Sequence, residues 1–290
     1  MHASAMTFFR ILLILAAVGI ALAGWAYRSA TADPVIREAE VALAGWPDGH
    51  RPVRALLISD IHVAGPDMPP ARLERIVVRI NEVRPDLVLI AGDLVSDRRA
   101  ATRRYSMADA VAPLGRLRPS LGSFAVLGNH DHWRDAAEAR SALAAAGIRV
   151  LDNAAAEAGP LAIGGLDDAF TGHDDLGRTL AAMRSLRGAR ILLSHSPDPF
   201  PAVPPEVGLM LAGHTHCGQI RLPLLGAVST MSDHGDRHAC GIVRERGKTL
   251  IVGAGVGTSL LPLRLGARPD MWLIRLGPAE RARTPAVARS

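Results

Sequence analysis

Apolar positions along this 290-residue chain change their spacing several times, and each change marks an element. Ile11 to Tyr27 is apolar on every face and follows Phe8, Phe9 and Arg10. It predicts a hydrophobic helix of about 17 residues, at the short limit for spanning a bilayer. Val35 to Leu43 reads as a first strand, and Gly45 to Pro52 as a turn-rich break. Short apolar runs at Val53–Ser59, Leu87–Ile90, Ser123–Leu127, Ile191–Leu193 and Val207–Leu211 read as buried strands. Ile148–Leu151 and Leu161–Ile163 read as shorter ones. Between them, Pro69–Val83, Ser106–Leu117, Arg134–Ala146 and Leu176–Leu186 show helical spacing, with Gly147 as a C-terminal cap. After residue 220 helical periodicity disappears, leaving strand candidates at Thr249–Val252 and Met271–Leu276. The alternation predicts an α/β sandwich, and the strand-rich last third suggests a second sheet packed on the first.

Composition narrows the picture. About 250 residues follow the apolar segment, enough for one large α/β domain or two small ones. Hydrophobic content is 49% with only 4% aromatics, so the core rests on Ala, Val, Leu and Ile. The net charge is +5, carried almost wholly by Arg, with Lys248 the single lysine. There is no compact basic block and no interleaved aromatics, so no nucleic-acid partner is expected. Two cysteines, Cys217 and Cys240, make no disulfide framework, and whether they pair is left open. The chain divides into an N-terminal membrane anchor or signal segment at 1–32, one domain at 33–277 and a polar tail at 278–290. A retained anchor is the favoured reading. The alternative is export after cleavage at the small-residue site Ala30-Thr31-Ala32. Arg10 before the run and Arg28 and Arg37 after it leave the side of the membrane open.

Chemistry concentrates just after the strands. Ser59-Asp60-Ile61-His62, Ala91-Gly92-Asp93, Gly128-Asn129-His130-Asp131, Ser194-His195-Ser196 and Gly213-His214-Thr215-His216 each follow an apolar run. The carboxyl ends of strands in an open α/β sheet face one crevice, so five such clusters are expected to converge. They offer carboxylate, amide and imidazole donors without a thiolate, a set suited to Mn, Fe, Zn or a similar ion. In an extended chain, alternate residues face one side, so Asp60 with His62, and His214 with His216, are expected to chelate as pairs. Gly92, Gly128 and Gly213 are expected to permit sharp turns and close approach. His132 and Trp133 either line the pocket or pack the next helix. His173, His234, His238 and the acidic pairs Asp167-Asp168 and Asp174-Asp175 are expected on the surface, with contact to a substrate at the pocket rim as the alternative for His234 and His238, and Cys217 is expected as a small space-filler. Leu222, Leu224, Leu225, Leu260, Leu261 and Leu263 either pack the second sheet or line an apolar trough.

The ordered series D-x-H, G-D, G-N-H-D, S-H and G-H-T-H resembles the calcineurin-like metallophosphoesterases, over about residues 35 to 277. Leu193–Asp198, Gly213–Gln219 and Pro262-x-Arg264 with Arg268-Pro269-Asp270 resemble a bacterial branch with an N-terminal membrane or export segment. The resemblance implies a four-layer α/β/β/α sandwich of two mixed sheets. It implies two divalent metal ions (Mn, Fe, Zn or Co), one on Asp60, His62, Asp93 and His216, the other on Asp93, Asn129, His195 and His214. Asp93 would bridge them, and a shared hydroxide would attack phosphorus in line. It implies His130 as a catalytic residue acting on the phosphate or the leaving oxygen, with Asp131 either orienting it or forming the turn. The implied activity is a phosphodiesterase or pyrophosphatase in the inner membrane. The implied partner is a phosphoester substrate, with a lipid or nucleotide-linked lipid precursor among the candidates. The alternatives are a UDP-2,3-diacylglucosamine pyrophosphatase of lipid A synthesis and a non-catalytic metal- or phosphate-binding module.

Overall fold

The computed structural model describes residues 2–96 and 101–279. The expected polar tail, apart from its first two residues, lies outside them.

Helix α1 (His2–Thr31) is longer than the 17-residue run because Ala, Ser and Thr at its ends continue the helix without breaking it. Strands β1 (Val35–Leu43), β2 (Val53–Ile58), β3 (Leu87–Ala91), β4 (Ser123–Val126) and β5 (Arg149–Val150) follow, with α2 (Pro70–Glu82), α3 (Met107–Val111) and α4 (Asn129–Ala145) between them. Next come β6 (Ala154–Ala158), β7 (Leu161–Gly165), α5 (Leu176–Arg184), β8 (Ala189–Leu193) and β9 (Leu209–Ala212). A two-strand ribbon, β10 (Arg221–Leu222) with β11 (Gly226–Ala227), precedes β12 (Gly241–Glu245), β13 (Lys248–Val252) and β14 (Asp270–Pro278).

One sheet has the order β1-β14-β2-β3-β4-β5 and the other β12-β13-β9-β8-β7-β6. Both are mixed: β14 runs antiparallel to β2, β12 to β13 and β6 to β7, while the remaining neighbours are parallel. The sheets pack face to face. On β2, Val53, Ala55 and Leu57 enter the core between the sheets, and Leu56 and Ile58 enter the core beneath α2, α3 and α4. This period of two with both faces apolar is why the strand reads as an unbroken run. A third core packs α5 on the outer face of the second sheet through Met183, Leu192 and Met210. The layers are therefore α/β/β/α, as the resemblance implied.

One expectation about the sheets is corrected. The strand-rich last third does not form the second sheet by itself. Its final strand, β14, inserts into the first sheet between β1 and β2. Its two faces explain this, since Trp272, Ile274 and Leu276 fill the inter-sheet core and Met271 and Leu273 the helix-side core. The second sheet is built mostly from the middle of the chain.

Candidate metal centre

The C-terminal ends of β2, β3 and β4 from one sheet, and of β8 and β9 from the other, open on the same place. All five clusters arrive there. Asp60, His62, Asp93, Asn129, His130, His195, His214 and His216 are all buried, none more than 6% exposed.

Two donor sets share one atom. His62 Nε2 lies 3.0 Å from His216 Nε2 and 3.4 Å from Asp93 Oδ2, and His216 Nε2 lies 3.6 Å from Asp60 Oδ1. On the other side, Asn129 Oδ1, His195 Nε2 and His214 Nδ1 lie within 3.1 Å of one another. His195 Nε2 is 3.4 Å from the same Asp93 Oδ2. Asp60, His62 and His216 form one group able to hold an ion, His62, Asp93 and His130 a second, and Asp60, Asp93 and His195 a third.

The hydrogen bonds around these rings fix which nitrogens face inward. His195 Nδ1 donates to the Ala91 carbonyl at 2.7 Å, and His214 Nε2 to the Met231 carbonyl at 3.0 Å. In their neutral forms His195 Nε2 and His214 Nδ1 are then lone-pair atoms, and together with Asn129 Oδ1 they make three acceptors facing one another. Such a cluster repels itself unless a cation, or a proton on one of the rings, lies among them. Electrostatics agree. Burial would lower His195, but the Asp93 and Asp60 carboxylates raise it well above its ordinary value. Burial would raise Asp93, yet His195, His130 and His62 hold it well below the usual carboxylate range. Asp60, where burial dominates and Asp93 adds repulsion, is pushed up to about 6. Burial, with His62 and Arg264 beside it, drives His216 well down, which keeps its imidazole neutral. The pocket calls for positive charge at its centre, and oxygen and nitrogen donors of this kind fit divalent cations.

Backbone geometry differs from the extended pairs expected. Asp60, His62, Asp93, His214 and His216 all have positive φ, between 47° and 70°. Each such residue costs about 1–2 kcal/mol. Asp60 and His62 converge because their left-handed backbones are tied to the next loop, through amides donating to the Gly92 and Asp93 carbonyls at 3.1 and 2.9 Å. Strain of this kind gathers at functional sites, where the surrounding structure over-determines it. Close approach explains two glycines: a Cβ at Gly128 would strike the Asp93 carboxylate, and one at Gly213 the Asp60 carboxylate.

Several residues support the centre in ways the motifs did not specify. Asp131 does not serve its neighbour's ring. Its Oδ2 accepts from the Asp93 and Gly128 amides and its Oδ1 from Leu94, so it braces the loop carrying Asp93. Arg264 is fully buried beneath His216 and donates to the carbonyls of Ala254, Gly257 and Ala267. Asp167 and Asp168, expected on the surface, are buried. Asp167 takes the His132 ring at 2.8 Å, and Asp168 caps the turn that sets Phe170 against His214, rings 4.7 Å apart. The available signal was their place after an apolar run, since they follow β7. His238, also expected outside, is buried against Phe200. His173 is exposed and stacks on His132, while Trp133 meets His130 edge-on at 4.9 Å. Cys217 is not a free space-filler, because it forms a disulfide with Cys240, Cα atoms 4.7 Å apart. A cavity of about 560 Å³ adjoins the centre, lined by Phe170, Ser196, Asp198, Thr230, Met231 and Ser232 among others.

Residues 53–218 match the family described as Calcineurin-like phosphoesterase. A Danio rerio protein, "Transmembrane protein with metallophosphoesterase domain", is 31% identical over 278 residues, covering 89% of this chain and 60% of that protein. The "Uncharacterized metallophosphoesterase YkuE" of Bacillus subtilis is 34% identical over 212 residues, 70% of this chain and 72% of that one. "Phosphodiesterase YaeI" of Escherichia coli is 31% identical over 243 residues, 81% of this chain and 86% of that one. The chain thus spans only about three-fifths of the zebrafish relative, and most of the two bacterial ones. Fold, donor sets and relatives agree: the chain belongs to the calcineurin-like phosphoesterase family, and the domain carrying the match is that of a metal-dependent phosphohydrolase.

Proposed function

We propose that the protein is a membrane-anchored phosphodiesterase working through two divalent cations. One observation carries this reading: a single Asp93 oxygen stands 3.4 Å from a nitrogen of each donor set. Asp60, His62, Asp93 and His216 would hold one cation, and Asp93, Asn129, His195 and His214 the other. Two such cations supply Lewis acidity toward phosphoryl oxygens and make water nucleophilic near neutral pH. Mn, Fe, Zn and Co all suit these donors.

The chain does the rest. Asp93 keeps both sets in register, and its Oδ1 accepts the His130 amide at 2.9 Å, which locks the start of α4 to the centre. The His130 ring lies edge-on to His62 at 4.8 Å, and in this reading it would hydrogen-bond the phosphate or protonate the leaving oxygen. The adjoining cavity, with Ser196, Asp198, Thr230 and Ser232, suits a hydroxyl-bearing leaving group.

Helix α1 supports the anchor. Met6–Thr31 is long and apolar enough to cross a membrane, with none of its most apolar window buried. The alternative cleavage site is packed away, since Ala30 is fully buried and the Ala32 carbonyl accepts from Arg72 Nη2 at 2.7 Å. In a bacterium this anchor belongs to the inner membrane. The disulfide favours the oxidising side of it. That disfavours the UDP-2,3-diacylglucosamine reading, which needs the domain in the reducing cytoplasm.

The test is metal analysis and hydrolysis of bis(p-nitrophenyl) phosphate by the full chain. Two equivalents of metal and Mn²⁺-dependent turnover abolished by EDTA are expected. Asp93→Asn should lose both metal and turnover. His130→Ala should keep its metal while turnover falls about 10²- to 10⁴-fold. Bound metal with no turnover on the diester would instead favour a binding module.

A further inference from the structure

Two loops beside the metal centre leave large apolar side chains in solvent. Leu222, Leu224, Leu225 and Val228 on the β10–β11 ribbon, and Leu260 and Leu261 before β14, range from 38% exposed at Leu222 to 106% at Leu224. That exposure excludes the expected role of core packing in the second sheet and leaves the apolar trough. The two loops form one rim. Gln219 Nε2 donates to the Leu261 carbonyl at 3.1 Å, Gln219 Oε1 accepts the Ser259 amide at 3.0 Å, and the Arg221 amide donates to Leu265 at 2.8 Å. The rim is the same stretch of chain that builds the centre, because Gln219 lies three residues beyond His216 and the Met231 carbonyl holds His214.

The rim is also tied to α1. The Arg264 amide donates to the Ala26 carbonyl at 3.0 Å, and Ala26 and Ala30 pack against the domain. On either side of Ala26, Trp25 is 61% exposed and Tyr27 38%. Exposed Trp and Tyr at the end of an apolar helix mark the bilayer–water boundary. Length agrees, since Phe8 to Tyr27 spans about 30 Å at 1.5 Å per residue, the thickness of a hydrocarbon core. The contact at Ala26 therefore holds the Leu260–Leu261 loop at headgroup level. A contiguous exposed apolar patch in that place has a ready partner.

We propose that this leucine rim rests on the phospholipid bilayer, in the leaflet where α1 ends, and that the metal cleft accepts a phosphoester borne by a lipid of that leaflet. The inference rests on α1 being a retained anchor. The Arg264–Ala26 hydrogen bond and the buried Ala26 and Ala30 join its interfacial end to the rim, so the domain does not swing freely on a tether.

The test uses the full chain reconstituted in phosphatidylcholine vesicles with and without brominated acyl chains. Leu224→Trp and Leu260→Trp should lose most of the emission that the new indole adds. Arg187→Trp, at the opposite end of the strands, should lose none. Quenching of native Trp25 without quenching at positions 224 and 260 overturns the rim contact and leaves the anchor standing. Quenching at none of these positions overturns both. A second readout concerns the substrate. In the double variant Leu224→Asp, Leu260→Asp, turnover of a diacylglycerol p-nitrophenyl phosphodiester in vesicles should fall about tenfold or more, as expected for removing two leucines from an apolar phase. Turnover of soluble bis(p-nitrophenyl) phosphate should stay unchanged. An equal fall on both substrates overturns the lipid assignment.

Discussion

Asp131 shows how a residue that need not touch substrate can decide whether the centre forms. Its carboxylate takes three buried backbone amides, those of Gly128, Asp93 and Leu94. Burial raises Asp131, as does neighbouring Asp93, to about 6 despite those donors. Asp131→Ala would strand the three amides, at about 1–3 kcal/mol for each donor left unmatched. Thermal unfolding should drop accordingly, and metal affinity by about 10- to 100-fold, as for residues that orient ligands. Calorimetric Mn²⁺ titration and melting curves check both, and unchanged affinity would show that the Asp93 loop holds itself. The His132–Asp167 pair makes a second residue-level prediction, this time in pH. The hydrogen bond to Asp167 raises His132 above its ordinary value, so its contribution is full below about 6.5 and fades as pH rises through the folded value. Burial would raise Asp167, but His132 lowers it, so its contribution is present above about 3.8 and is lost as pH falls through the folded value. The difference in melting temperature between wild type and Asp167→Asn should therefore be largest between about pH 4 and 6.5 and shrink above it. A difference that does not shrink above about pH 6.5 would show that the pair is not held by charge.

Whole elements were legible where periodicity was strong and obscure where it was not. Strands β2, β3, β8 and β9 carry apolar residues on both faces and stood out, as did α2 with Leu73, Ile76, Val77 and Ile80 on one side. Strand β6 is Ala-Ala-Ala-Glu-Ala, residues that favour helix over sheet, and tertiary pairing with β7 makes it a strand. Strand β12 is a half-exposed edge and gave no alternation to read. In α4 the Ala-rich half from Arg134 was readable. The turn carrying Asn129 and His130 was not, because Asp135 adopts an extended conformation and restarts the helix by accepting the Ala137 and Glu138 amides. The Asp, Asn and His residues that converge here were legible as a set, while the left-handed backbones at Asp60, His62, Asp93, His214 and His216 were not, since Asp and His carry no marker for positive φ. The disulfide is a further case, because two cysteines 23 positions apart give no pairing from sequence alone. It closes the loop holding Met231 and Ser232 over the centre, with Thr215 bonded to Ala239 alongside it. Chain entropy for a loop of that size predicts that Cys240→Ser costs about 3 kcal/mol. His214 loses a firmly held carbonyl partner when that loop loosens. Melting temperature and metal affinity should both fall, and an unchanged affinity would show that the loop is held by Thr215 and Asp198 alone.

At the scale of the molecule, one feature bears on which side of the membrane the domain occupies, the disulfide. Helix α1 ends against the domain without a spacer, because Arg72 and Arg79 grip the carbonyls of Ala32 and Pro34. The domain must therefore lie wholly on the side where α1 ends. Charge leaves the choice open, since Arg10 precedes the apolar run and Arg28 and Arg37 follow it. The disulfide does discriminate, because thiols in the cytoplasm are kept reduced and this bridge closes the wall of the centre. The expected arrangement has the N-terminus inside and the domain outside, with the leucine rim on the outer leaflet of that membrane. Fusing alkaline phosphatase or a fluorescent protein after the last residue tests it, since the first folds only in an oxidising compartment and the second fluoresces in the cytoplasm. An active phosphatase and a dark fluorescent fusion are expected, with the two cysteines protected from alkylation until a reductant is added. A bright fluorescent fusion with freely alkylated cysteines would move the domain inside. It would also remove the disulfide from the working enzyme and make a nucleotide-linked lipid precursor the substrate to pursue.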